Sequence, residues 1–411
     1  MKKILFPFFL FIFFLNTFTF PYVASAEPMA GSVSESIQND PSFTFPETTN
    51  TNPEEPTEVS DVFYRGKVNH IISEREAEGY GEGEKILIQE IEVLITSGFE
   101  DGSIVMVTNE VLKDRENRQL KIGDSLVVGK SVIAGETQYY ISDMYRLDAL
   151  WIVLSIFVLI TLILTKFHGF RAFAGLLVSF GVIAWYIVPQ IIHGANPLLV
   201  SLIGTSIIAA TSLYIAHGFH ARTSIALVGT IISISVALVL SYFFVIFTHL
   251  FGMGSEEAFY LQFAPGVMIN LRGLLLGGII IGVLGILDDI TTAQAAVVEQ
   301  IYYANPELSA RELYGRASLV GREHILSLVN TLVLAYTGAS LPLILLFKIY
   351  ERPAWVTLNS EIIMEEVIRM IIGSITLIIA VPFTTLIAAK YYSKIKPENS
   401  LKEVHHHSHT H

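Results

Sequence analysis

The chain has 411 residues, of which 52% are hydrophobic and only 16% are charged, whereas an ordinary soluble domain carries about 25% charged residues. Its net charge of −12 comes mainly from acidic residues before residue 125, and an acidic exposed region excludes nucleic acid as a partner. The sequence contains no cysteine, which excludes disulfide bonds and thiolate metal sites. These values predict that much of the chain faces a lipid bilayer.

The N-terminus has the pattern of a secretory signal peptide. Lys2 and Lys3 precede a phenylalanine-rich apolar run, and the small residues 24–26 follow it as a cleavage site. We therefore predict a signal peptide over residues 1–26, with an uncleaved anchor helix as the alternative. Residues 27–60 are rich in Pro, Ser, Thr, Asn and Glu and too poor in aliphatic residues to form a core, so we expect a disordered linker.

Residues 61–146 predict a small extracytoplasmic β-domain. Short stretches of alternating apolar and polar residues, such as 86–95, are separated by glycines that include Gly98 and Gly123. Several short strands with such turn signals predict a barrel or sandwich of about five or six strands, and we expect an OB-like barrel. The domain shows no catalytic constellation, so its expected role is to bind an extracytoplasmic protein partner.

Residues 147–392 form the predicted transmembrane domain. Seven apolar stretches follow one another there, each near the length that a tilted transmembrane helix needs. They are residues 150–164, 173–192, 198–216, 225–248, 271–290, 325–347 and 367–389. The predicted fold class is an α-helical polytopic membrane protein with a small extracytoplasmic all-β domain.

The basic residues predict how these helices are oriented. If the β-domain is exported, the inner segments carry most of the arginines and lysines, whereas the outer segments 190–197 and 249–270 carry none. This bias fits the positive-inside rule. It predicts a plasma-membrane protein with a cytoplasmic C-terminus, where the histidine-rich tail 393–411 either binds a metal or has no specific role.

The fifth span is rich in glycine. Gly273 and Gly277 form one GxxxG pair, Gly278 and Gly282 form another, and Gly285 follows. Such pairs let a second helix approach closely, and they also permit a homo-oligomer. The alternative is that the glycines expose backbone atoms to an ion.

The same span ends in two adjacent carboxylates, Asp288 and Asp289. On a continuing helix Asp288, Thr292 and Glu299 share one face. An ionisable residue at membrane depth is a hypothesis for a functional site, and such oxygen ligands suit a transported proton or a divalent cation. The alternative is that the pair caps a cytoplasmic helix starting near Ile290.

A second polar motif leads into the sixth span. Arg322, Glu323 and His324 come first, and Asn330 shares a helical face with Glu323. The predicted topology brings both motifs to the cytoplasmic side, where Arg322 could neutralise an aspartate and His324 could carry a proton or a metal. The alternative is a solvated charged rim followed by interhelical hydrogen bonds.

Two further features are weaker signals. His217, His220 and Arg222 end the third span on the same side, and we interpret them as an inner anchor because HxxH spacing alone is a poor indicator of a metal site. Pro382 in the last span predicts a kink.

At residues 285–295, GILDDITTAQA, and again at residues 321–336, GREHILSLVNTLVLAY, the chain resembles the YibE/F-like family of multi-pass bacterial membrane proteins. The resemblance covers about residues 60–390. It implies a polytopic, permease-like protein with an exported N-terminal domain, often found in Gram-positive bacteria. It brings no substrate, cofactor or catalytic residue.

Three functions stay open at this point. The carboxylates and the glycine-rich helix favour a permease or secondary transporter of a small cation or a proton-coupled solute. The second function is an accessory or scaffold protein that recruits a partner through the β-domain. The third is a metal-dependent membrane-embedded hydrolase, but motifs such as HExxH and GxSxG are absent from the sequence.

Overall fold

The computed structural model describes residues 62–79, 85–112, 119–133, 136–263, 268–351 and 353–395. The predicted signal peptide, the linker and nearly all of the histidine-rich tail lie outside these ranges. The chain divides into two compact units, one up to Thr161 and the other from Leu162.

The first unit contains a five-stranded antiparallel sheet. Its strands are β1 (Val62–Glu78), β2 (Lys85–Ile95), β3 (Ile104–Leu112), β4 (Ser125–Ile133) and β5 (Glu136–Met144). The strand order is β3-β2-β1-β4-β5, and the outer strands β3 and β5 approach each other as in a partly open barrel. Inward-facing residues such as Ile91, Val93, Leu126 and Val128 form the core. The predicted small β-barrel is confirmed.

Strand β1 is longer than its sequence predicts. The loose apolar alternation of residues 62–68 does not continue beyond Val68, yet the strand pairs with β2 as far as Glu78. The register shifts between Val68 and His70 and again between Ile71 and Ser73. Bulges of this kind bend a strand and change the direction of its side chains, so a regular alternation is not expected there.

A hydrogen-bonded carboxylate fixes the β2–β3 connection. This connection contains a short 3₁₀ turn, Gly98–Glu100. Tyr139 Oη donates to the Glu100 carboxylate over 2.9 Å, and Lys130 Nζ donates to its other oxygen. The hydrogen bond from Lys130 lowers the pKa of Glu100, so the turn is held to β4 and β5 by a charged group.

The described residues also form eleven α-helices. They are α1 (Leu147–Thr165), α2 (Phe167–Val182), α3 (Val188–Ile192), α4 (Pro197–His217), α5 (Ala221–Phe247), α6 (Glu256–Leu261), α7 (Leu271–Ala304), α8 (Ala310–Ala339), α9 (Leu341–Ile349), α10 (Ala354–Leu358) and α11 (Glu361–Tyr392). A π-helical turn, Ile183–Ile187, joins α2 to α3.

Six of these helical stretches are long and apolar enough to cross a membrane: α1, α2 with α3, α4, α5, α7 and α11. Helices α8 and α9 count as a seventh only if taken together, because they are bent by 54° at the break between them. Pro342 is near the start of α9, and a proline disfavours a continuous helix through the residue before it. The chain is a multi-pass membrane protein, and the prediction of about seven helices is confirmed.

Helix α7 is the central helix of the second unit and contacts α4, α5, α8 and α11. Contacts at both ends show that α4 and α11 run parallel to α7, whereas α5 runs antiparallel. Ile279, Leu287 and Ile372 are fully buried in the main hydrophobic core. Helix α11 is continuous through Pro382.

Candidate functional site

Helix α7 carries the two aspartates inside an unbroken helix. Its N-cap is Asn270, whose side chain accepts a hydrogen bond from the backbone N–H of Gly273, and it ends only at Ala304. The interpretation of the Asp288–Asp289 pair as the N-cap of a new helix near Ile290 is therefore wrong. The predicted continuation of the helix brings Thr292 and Glu299 onto the same element.

The glycines of α7 divide into two sets. A Cβ atom at Gly277 would lie 2.4 Å from Ser201 Oγ, and one at Gly273 would lie 3.4 Å from Pro197 Cδ, so this pair packs against α4. A Cβ atom at Gly278 or Gly285 would meet no other part of the described chain within 4 Å, and one at Gly282 would meet Tyr336 Oη at 3.8 Å. Close packing thus accounts for the first GxxxG pair, whereas in the second pair Gly278 faces open space and Gly282 lies beside Tyr336 of α8.

Close packing of α4 on α7 brings Asp288 against Ser212. Ser212 Oγ donates to Asp288 Oδ2 over 3.1 Å. The other carboxylate oxygen, Oδ1, is buried and receives no hydrogen bond from any residue that the structure describes. Asp288 is therefore a partly buried carboxylate with one satisfied oxygen and one unsatisfied oxygen.

Asp289 has a different environment although it is the next residue. Its side chain is exposed, on the same side of α7 as Gly285. Thr292 follows one turn later and donates its hydroxyl to the carbonyl oxygen of Asp288 over 2.7 Å. The predicted pair of carboxylates is thus one inward-facing group and one exposed group.

Glu299 is a buried carboxylate with both oxygens hydrogen-bonded. Its side chain is 10% exposed; Tyr392 Oη donates to Oε1 over 2.8 Å, and Arg222 Nη1 donates to Oε2 over 3.3 Å. These partners come from α11 and α5. Arg222, interpreted from the sequence as an inner anchor, is thus one side of an interhelical ion pair.

Two further polar contacts hold α7 to its neighbours. Gln294 donates from Nε2 to the carbonyl oxygen of Ala317 on α8 and to Thr385 Oγ1 on α11, over 3.1 and 2.7 Å. Thr230 and Thr291 share a 2.8 Å hydrogen bond between α5 and α7. These groups are buried and partnered, so their role is to join helices.

The polar motif of α8 is placed differently from α7. Arg322, Glu323, His324 and Asn330 are exposed side chains. None of them forms a hydrogen bond or an ion pair with Asp288 within the described ranges. The helix faces the rest of the bundle through residues such as Leu313, Ala317 and Gly321 instead. Membership of these four residues in the site stays a prediction that no contact supports.

The N-terminal end of α11 carries two hydrogen-bonded carboxylates that were not predicted from the sequence. Glu361 Oε1 accepts hydrogen bonds from the backbone N–H groups of three consecutive residues, 251–253, over 2.7, 2.9 and 3.2 Å. Glu365 Oε1 accepts one from the N–H of Gly254 over 2.9 Å. The spacing of four residues before an apolar span was a usable signal, although it does not indicate which loop the carboxylates bind.

The described residues contain no group of three or more His, Asp or Glu side chains that could hold a metal ion. Ser212 and Tyr392, which donate hydrogen bonds to Asp288 and Glu299, were not predicted from the sequence. No sequence signal distinguishes Ser212 from the other hydroxyl residues of its apolar helix, since the contact depends on how α4 packs.

One comparison with known proteins gives a match. The family model described as YibE/F-like protein matches residues 153–394, which is more than half of the chain. The matched range begins inside α1 and does not include the β-domain. No curated protein and no solved structure matches the chain.

Proposed function

The chain belongs to the YibE/F-like protein family, and on that premise we propose that it is a secondary transporter of protons or of another small monovalent cation, with Asp288 as the binding group. The observation that carries the proposal is the buried Oδ1 atom of Asp288, which has no hydrogen-bond donor among the described residues. Among the described residues, Ser212 supplies the one hydroxyl at this carboxylate.

A buried carboxylate without hydrogen-bond partners is energetically unfavourable. Burial of an ionised group without compensating hydrogen bonds costs several kcal/mol, roughly 3–5 when a buried pair is broken. Binding of a proton or a cation removes that cost. Glu299 shows that this bundle satisfies a buried carboxylate elsewhere, so the incomplete pairing of Asp288 supports a binding role.

The ligand set favours a proton or a monovalent cation over a divalent one. Calcium takes about six to eight oxygen ligands and magnesium about six in a rigid octahedron. Asp288 has one hydroxyl neighbour in the described structure, Ser212. The positive-inside bias of the sequence supports a position of Asp288 toward the cytoplasmic end of α7.

The test uses the purified full-length chain in proteoliposomes under an imposed pH gradient or a sodium or potassium gradient. Flux is followed with pH-sensitive and cation-sensitive dyes trapped inside the vesicles. We expect Asp288→Asn to reduce flux to the level of protein-free vesicles, because the amide cannot exchange a proton or neutralise a cation. Asp289→Asn is the matched control and should keep a flux near that of the unchanged protein, since this carboxylate is exposed.

Two results would overturn the proposal. One is that the unchanged protein carries none of the three ions, and the other is that Asp288→Asn carries them equally well. If deletion of residues 61–146 abolishes function in cells while Asp288→Asn does not, the accessory role through the β-domain replaces transport.

A further inference from the structure

A polar pocket lies beside the end of α4 and the start of α5, where α7 passes both helices. Its volume is about 260 Å³, and it is lined by His217, Arg222, Thr223, Thr292, Ala293 and Ala296. Thr292 is four residues beyond Asp288, so the pocket lies about one helical turn further along α7 than the contact with Ser212.

Thr223 lines the pocket and has a buried hydroxyl without a partner among the described residues. The residue is 1% exposed, and its hydroxyl oxygen forms no hydrogen bond with the described part of the chain. Many hydroxyls of the bundle, such as that of Thr292, donate to the carbonyl four residues earlier. Thr223 lies in the first turn of α5, and the residue four positions earlier, Phe219, precedes the helix. A buried hydroxyl without a partner costs free energy, which a ligand in the pocket would recover.

The same turn supplies backbone donors. The first N–H groups of a helix have no intrahelical partner, and the N-cap residue of α5, His220, makes no side-chain capping hydrogen bond. This helix is 27 residues long. Its N-terminus carries a partial positive charge, and anions bind at such ends.

Two guanidinium groups add full positive charges. Arg222 lines the pocket and binds Glu299 through Nη1, and its Nε and Nη2 form no hydrogen bond with the residues that the structure describes. Arg171 donates from Nε to the carbonyl oxygen of Ile215 near the end of α4. Both arginines lie close enough to His217 for their charges to act on it, so this side of the pocket has two guanidinium groups and one carboxylate, that of Glu299.

We propose that this pocket binds an oxyanion group, a carboxylate or a phosphate, carried by a small solute or by a lipid head group. A guanidinium, a hydroxyl donor and a helix N-terminus together form the donor set that such groups bind. Asp289, whose charge also acts on His217, repels additional negative charge, so the ligand is a monoanion or carries a compensating cationic group. The inference does not depend on cation transport through Asp288.

The test measures equilibrium binding to the purified full-length protein in a neutral, phosphate-free detergent. One arm titrates acetate and inorganic phosphate by calorimetry. The other arm adds phosphatidylglycerol and counts bound lipid by native mass spectrometry.

Thr223→Val removes the hydroxyl while keeping the side-chain shape. We expect it to weaken binding about tenfold, as the loss of a hydrogen bond to a charged group implies. Thr376→Val is the matched control, because Thr376 is also a buried threonine without a hydrogen-bond partner in the described structure but does not line the pocket.

Each result decides the proposal. Binding of acetate or phosphate that Thr223→Val weakens and Thr376→Val does not supports a solute oxyanion, and the same pattern for phosphatidylglycerol alone supports a lipid head group. Absence of binding in both arms, or equal binding by both variants, overturns it. Arg222→Gln should weaken binding too. If the Arg222→Gln variant unfolds, Thr223→Val still decides the test. Asp288→Asn should retain oxyanion binding, so a failure of the transport proposal is separable from a failure here.

Discussion

Glu299 and Asp288 lie on the same helix, about three turns apart, and differ in how the bundle satisfies them. Glu299 receives donors from two other helices, one at each carboxylate oxygen. Asp288 receives one donor, from Ser212, and its second oxygen is buried without one in the described structure. A buried carboxylate with hydrogen-bond donors at both oxygens joins helices. A carboxylate with a donor at one oxygen has an unfavourable burial free energy that a bound ligand can remove.

The largest expected effect is on stability, at Glu299. We expect Glu299→Ala to lower the free energy of unfolding by about 3 kcal/mol, at the low end for a broken buried ion pair because the Arg222 side chain is 38% exposed. Thermal or denaturant unfolding in detergent measures this. Asp288→Ala in the same assay should not destabilise the protein, because removal of the buried unsatisfied oxygen offsets the loss of the hydrogen bond from Ser212. Equal losses in the two variants would remove the distinction between the two carboxylates.

A hydroxyl deletion tests the Glu299 site more finely. Tyr392→Phe removes the donor to Oε1, and we expect a loss of about 1.5–2 kcal/mol, as for a hydrogen bond to a charged group. The matched variant Tyr391→Phe changes the neighbouring exposed tyrosine and should leave the unfolding midpoint unchanged. A null result for Tyr392→Phe would mean that Arg222 alone satisfies Glu299.

The next effect concerns the packing that brings Ser212 to Asp288. Gly277→Ala places a Cβ atom 2.4 Å from Ser201 Oγ, so α4 has to shift, at a cost of about 1–2 kcal/mol. Gly278→Ala adds the same atom where nothing lies within 4 Å and should not destabilise the protein. We expect only Gly277→Ala to reduce flux as well, because it moves Ser212. The pair of variants is compared by unfolding and by vesicle flux.

The smallest effect on stability is expected for Ser212→Ala. The loss of one hydrogen bond corresponds to about 0.5–1 kcal/mol, and we expect the cation concentration at half-maximal flux to rise several-fold because Asp288 loses its hydroxyl neighbour. Ser206→Ala on the same helix removes a hydroxyl that donates to its own backbone and is the control. If the two variants transport identically, Ser212 is a packing residue only.

Much of the fold follows from the sequence, because apolar runs and turn residues are local signals. The seven spans, the small barrel and the packing of Gly273 and Gly277 depend on period and length. The site was less predictable, because Ser212 and Tyr392 reach α7 from segments far away in the chain. Periodicity assigned Glu323 and Asn330 to one face of α8, but it could not show that these side chains are exposed.

Helix α11 is fastened at both ends. At its start Glu361 accepts hydrogen bonds from three backbone amides of the α5–α6 loop, and at its end Tyr392 donates one to Glu299 of α7. A displacement of α11 along α7 would therefore break at least one of these sets of hydrogen bonds. A change in the 54° bend between α8 and α9 would leave both of these attachments of α11 intact.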